Sequence, residues 1–83
     1  MTENVFYNEL ESTGRKIRKR RHELATELSN VDKEITDIEH YIEFYSLSAS
    51  RGYKASKMLK DCFQRRREIK DEIEMLNRIS VMN

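Results

Sequence analysis

Proline and tryptophan are absent from the 83 residues, glycine occurs twice and cysteine once. A sandwich or barrel of many short strands needs turn residues at each reversal, and two glycines without proline do not supply them. No apolar run approaches the roughly 18 residues of a membrane span, so no membrane role is expected. Cys62 has no second cysteine to pair with, and the start MTENVFYNELES shows no basic segment followed by an apolar block. The expectation is an unexported, cytoplasmic protein. Charge, by contrast, is plentiful and balanced: 37% of residues are charged, with 16 Lys and Arg against 15 Asp and Glu. That is the composition of long solvent-exposed helices, and the length allows one small domain.

The apolar positions carry the fold. Leu24, Leu28, Val31, Ile35, Ile38, Ile42 and Tyr45 are spaced 4, 3, 4, 3, 4, 3, an unbroken a/d heptad seam. Read backwards, the same phase passes through Arg21, Ile17, Gly14, Leu10 and Tyr7, so the seam is degraded before residue 24. A second seam runs through Ala55, Leu59, Cys62, Arg66, Ile69, Ile73, Leu76 and Ser80. Between them lies SLSASRGY, with three serines and Gly52. Ser48 or Ser50 is placed to cap the second helix, and Gly52 to adopt a positive φ in the connection.

The fold class expected is therefore all-α: an antiparallel two-helix hairpin, coiled-coil-like, associating into a larger helical bundle. Residues 1–12 form an N-terminal arm or short helix, with Ser12 or Thr13 as N-cap. Residues 13–83 form the hairpin: helix 13–46, turn 47–52, helix 53–80. Ser29 followed by Asp32 resembles a helix start, but the heptad phase runs through 28 and 31 without a slip. If the two seams fold onto each other about residues 50–51, facing residue numbers sum to 100 or 101, as in Ile42 with Leu59 and Leu24 with Leu76. Residues 1–16 would then overhang, and Arg66 would lie opposite Ile35, reaching Glu34 or Glu39 with its guanidinium.

One seam is little core for a lone domain. Apolar residues also fall off the seam: Tyr41, Phe44, Leu47, Met58 and Phe63 near the turn, Met75, Ile79, Val81 and Met82 at the other end. Two readings account for the first group. Either Tyr53 and Phe63 cover a small local core under the turn, or these residues form a second contact face, the reading favoured here. The expected partner-binding residues are Tyr41, Phe44, Tyr53, Lys54 and Met58.

Residues 15–21 read RKIRKRR. This basic arm (Arg15, Lys16, Arg18, Lys19, Arg20 and Arg21) suits an acidic protein or nucleic-acid phosphates, the latter together with Arg51, Lys54 and Lys57. The plainer reading is a solvated overhang, with acidic neighbours pairing three and four residues away. Arg65 with Glu68, Arg67 with Asp71 and Lys70 with Glu74 are such pairs. No aromatic residues interleave with 15–21, so single-strand stacking is not suggested.

Chemistry is not visible. His22 and His40 are 18 residues apart and point outward, with no HxxxH or HExxH pattern. Cys62 reads as a small buried hydrophobe. Gly14 and Gly52 are isolated, so no phosphate loop exists. A two-helix hairpin also lacks a water-excluding pocket. No enzyme activity, metal, cofactor or small-molecule substrate is expected.

The stretch from His40 to Leu76, with His40, Ile42-Glu43, Gly52-Tyr53-Lys54 and Arg66-Arg67-Glu68-Ile69-Lys70, resembles small uncharacterised helical proteins of phages and prophages of Gram-positive bacteria. The resemblance implies the cytoplasm of a bacterial host and an accessory role, and it assigns no site. The functional expectation is a non-enzymatic protein–protein interaction module that self-associates and binds or modulates a host or phage protein. The alternatives are a nucleic-acid-binding accessory factor using residues 15–21, and a structural or scaffold component of phage assembly.

Overall fold

A computed structural model describes residues 2–45 and 48–82. They form two helices, α1 (Thr2–Phe44) and α2 (Ala49–Met82), packed antiparallel as a hairpin about 69 Å long. Ser46 and Leu47, expected at the end of the first helix and in the turn, lie outside the described residues, as do the side chains of Ser80, Val81 and Met82.

Three local expectations are corrected. The first helix does not start near residue 13: α1 is continuous from Thr2, so residues 2–12 are its first turns and not a separate arm. Ser12 and Thr13 sit inside it, and the Glu11–Arg15 ion pair (3.7 Å) spans the junction. Gly14 costs roughly 1 kcal/mol there, too little to stop a helix already nucleated on both sides. At Ser29-Asn30 the helix also runs through; Thr26 and Thr36 on either side donate their hydroxyls to the carbonyls of His22 and Asp32, four residues back.

The second correction concerns the turn. α2 begins at Ala49, four residues before the expected 53. Ser48 is its N-cap: the hydroxyl accepts from the Arg51 N–H (3.4 Å), and the Ser48 carbonyl accepts the first helical bond from Gly52 (2.9 Å). Gly52 is thus helical, and no described residue has a positive φ. Both glycines sit inside helices with room for a methyl group. Nothing lies within 4 Å of a Cβ at Gly52, and only the flexible Arg18 guanidinium approaches one at Gly14 (3.5 Å). Gly14→Ala and Gly52→Ala should each stabilise by about 0.5–1 kcal/mol. Thermal unfolding followed by circular dichroism should show each midpoint rising by several degrees. A lower midpoint at either site would show that the glycine is needed.

The third correction is the register. The seams hold as the contact face: Leu24, Val31, Ile35 and Ile69 form the buried cluster, Leu28, Leu59, Cys62, Ile73 and Leu76 pack against it, and Ala55 is buried nearer the turn. Their pairing, however, is shifted. The cross-helix polar contacts are Arg20–Glu72, Glu27–Arg65, Glu34–Cys62 and Asp32–Arg66, with residue numbers summing to 92, 92, 96 and 98. Long side chains lean toward the N-terminus of their own helix, which raises such sums above the backbone value. The backbones therefore mirror about residues 46–49 or earlier, not 50–51. The earlier start of α2 is the cause. It draws α2 along α1, half-buries Ile17, and leaves the turn end of the seam uncovered, with Ile42 37% and Tyr45 62% exposed.

Candidate protein-docking surface

The turn end is where apolar surface stays in water. Phe44 is 75% and Tyr53 72% exposed; Tyr41, Met58 and Phe63 are exposed as well. Tyr53 and Phe63 therefore do not roof a local core. At the end of α1, Tyr41 packs on Tyr45, the residue just past it (ring centroids 5.0 Å apart), and Phe44 meets His40 edge-on (6.1 Å). These are neighbours along one helix, so the rings cover each other and not the interhelical seam.

Between the two helices here runs an open groove of about 390 Å³. Asp37, Ile38 and Tyr41 form its α1 wall; Arg51, Lys54, Ala55 and Met58 form its α2 wall. Of the five expected partner-binding residues, Tyr41, Lys54 and Met58 come together in this groove. Phe44 lies on the same stripe of α1, at the i+7 position from Asp37, just beyond it. Tyr53 is exposed but does not line it. Asp37 and Arg51 complete the lining; the sequence pattern does not mark them as groove residues, because their place depends on where α2 starts.

The basic arm is not an overhang. α2 runs beside it, and Arg20 is taken up by a two-pronged bond to Glu72: Nε donates to Oε2 (2.6 Å) and Nη2 to Oε1 (3.0 Å), with Glu23 accepting at 3.3 Å. The Glu72 bond stabilises the charged guanidinium and shifts its proton loss further up, while the same bond holds the Glu72 carboxyl below the usual range. Arg20 is therefore withdrawn from docking, and Arg15 is engaged by Glu11. Lys16, Arg18, Lys19 and Arg21 are exposed and form no ion pair among the described residues. Arg18 and Arg21 border a second shallow groove with Ile73 and Asn77.

The two basic groups expected to act together on nucleic acid are separated. Residues 15–21 lie beside Glu72 and Ile73, whereas Arg51 and Lys54 lie beside Tyr41. At 1.5 Å per residue, the 20 positions from 21 to 41 place them about 30 Å apart.

Along the remaining surface, other ion pairs replace the expected ones, one of them across the hairpin and one within α2. Arg65 bonds Glu27 (3.5 Å) in place of Glu68, and Glu74 accepts from Arg78 (2.6 Å) in place of Lys70. Arg66 reaches Asp32 (2.8 Å), not Glu34 or Glu39, because the register differs. Cys62 is half-buried, and its thiol lies 3.6 Å from the Glu34 carboxylate. Burial first, and then that carboxylate, pushes the thiol pKa up, so the thiolate is disfavoured. Among the described residues no three His, Cys, Asp or Glu side chains gather as a metal site, and no helix is long and apolar enough to cross a membrane.

Compared with protein families, curated proteins and solved structures, the chain matches none.

Proposed function

We propose that the chain is a non-enzymatic protein–protein interaction module that self-associates and binds or modulates another protein. The observation that carries this reading is the imbalance of its apolar surface. Among the described side chains five hydrophobic residues are buried, while twelve large ones are exposed. Seven of those twelve (Tyr41, Ile42, Phe44, Tyr45, Tyr53, Met58 and Phe63) lie between residues 41 and 63. Large rings at an interface centre supply most of its binding energy, and a soluble chain gains by covering them. The resemblance of residues 40–76 to phage and prophage proteins supports a bacterial cell as the setting and a host or phage protein as the target. The basic arm is the second element: four unpaired cations would speed encounter with an acidic partner in a salt-dependent manner. A nucleic-acid role draws on the same four cations and loses support from the separation of the two basic groups.

Phe44→Ala combined with Tyr53→Ala tests the proposal. Both side chains are exposed, so the helical circular dichroism should be unchanged while proteins retained by the immobilised wild-type chain in bacterial lysate are lost. Equal retention by the double variant, or a wild-type chain that retains nothing and is itself monomeric, would overturn the reading.

A further inference from the structure

Three residues of α2 hold α1 by charge. Arg65 pairs with Glu27, Arg66 with Asp32, and Glu72 takes Arg20 by two hydrogen bonds. One heptad nearer the turn, α1 repeats two of these acceptors on the same faces: Glu34 stands seven positions after Glu27, and Glu39 seven after Asp32. Neither Glu34 nor Glu39 takes part in an ion pair among the described residues. The third contact does not repeat. Seven positions after Arg20 stands Glu27, where Glu72 would meet an acid.

The seam is unequal at its two ends. Far from the turn α2 lies beside Arg21, through Ile73, while near the turn Ile42 stays in water. Sliding α2 by one heptad toward the turn keeps every seam residue facing inward, takes Arg21 out from beside α2 and brings Ile42 in. Ile42 then has the surroundings of Ile35, which is 7% exposed. The displacement is about 10 Å. The chain to span it lies at the start of α2, where Ala49, Ser50, Arg51 and Gly52 form the first turn. Glycine and serine are weak in a helix, so that turn unwinds at small cost.

We infer that the hairpin has two registers one heptad apart, that the Arg20–Glu72 pair holds it in the one described, and that the docking groove exists in that register only. In the second register Arg65 pairs with Glu34 and Arg66 with Glu39, so both arginines keep a partner. Apolar cover is gained at the turn, and Glu72 facing Glu27 opposes the slide. The groove is dismantled, because each residue of its α2 wall gives way to the one seven positions on. Met58 stands in place of Arg51, Asp61 in place of Lys54 and Cys62 in place of Ala55. Both cations leave, and Asp61 arrives across from Asp37. The slide thus regulates the docking role proposed above, and rests on that role for its consequence, not for its existence. A partner seated in the groove and the Arg20–Glu72 pair, about 30 Å away, stabilise the same register and so support each other.

The distance between two spin labels tests the slide without any partner. The labels are carried by cysteines replacing His22 and Lys57, both exposed, in a Cys62→Ala background. They sit far apart along the hairpin, on opposite helices, so a slide of one heptad lengthens their separation by about 10 Å. With the original charges the shorter distance should be found. Glu72→Arg sets a guanidinium against Arg20 in the first register and beside Glu27 in the second, and should move the labels to the longer distance. Adding Arg20→Glu restores an opposite-charge pair in the first register and should return the shorter distance. If circular dichroism shows that Glu72→Arg has lost helix, Glu72→Gln replaces it, with both distances populated. A Glu72→Arg chain that keeps the shorter distance, one whose distances merely broaden about it, or a double variant that stays long would overturn the two registers. Proteins captured through Phe44 and Tyr53 should be lost in Glu72→Arg; capture retained at the longer distance would overturn the dependence of the groove on register. A wild-type chain that captures nothing would overturn the docking role, and the label distances would still decide the registers.

Discussion

Leu24→Ala should cost about 2–5 kcal/mol and leave the chain largely unfolded at growth temperature. Leu24 is the best-buried of the described side chains, 1% exposed, and it belongs to a small buried cluster with Val31, Ile35 and Ile69. Truncation removes its transfer free energy and leaves a hole that two long helices cannot close without bending. A chain of this size has only a few kcal/mol of net stability, so one such loss takes most of it. Urea unfolding monitored by helical circular dichroism gives the comparison, with Ile42→Ala as reference. Ile42 belongs to the same heptad seam but stands partly in water, and its truncation should cost much less. Equal costs at the two positions would mean that the packed centre of the hairpin is not where Leu24 places it.

Asn30→Pro should be nearly as damaging, at about 3 kcal/mol or more. Proline at this position removes the amide donor to the carbonyl of residue 26 and presses its ring against that turn. Because α1 is continuous through Ser29 and Asn30, the kink would fall between Leu28 and Val31, where the two helices are in contact. Asn8→Pro supplies the control. It lies near the N-terminal end of α1, and only the turns before it should unwind. If the Asn30 variant melted like wild type, α1 would be two helices meeting at that point.

The contact face was legible because burial imposes its period on the sequence. Leu24, Val31, Ile35, Ala55 and Ile69, the buried residues, were all on the two seams. The register was not legible for a reason inherent in that same period. Sliding one heptad seam along another keeps aliphatic residues facing inward, so periodicity alone cannot choose among pairings. The connection chooses, and of the two serines able to cap α2 it is the earlier, Ser48, that does so and starts the helix at Ala49. With the register went the ion pairs: Arg66 met Asp32, and Arg20 met Glu72, a contact 52 positions apart that no local spacing rule reports. Ser12-Thr13 beside Gly14 misled for a related reason. Capping residues mark a helix start only where the preceding turns are unfavourable, and nothing in TENVFYNELE breaks a helix. At the candidate surface, the off-seam aromatics were found from the sequence because they violate the a/d pattern. The groove that gathers Tyr41, Lys54 and Met58 depended on the chain reversal.

The two helices differ in length by nine residues, 43 against 34, so roughly 14 Å of the N-terminal end of α1 has no α2 beside it. A free helix that short would scarcely form in water, and it persists here because propagation from an existing helix avoids the nucleation step. It therefore melts as a ladder loses rungs from its top, one hydrogen bond at a time. Heating should draw off this fraction of the ellipticity as a gentle slope, well before the paired arms part in a single sigmoid.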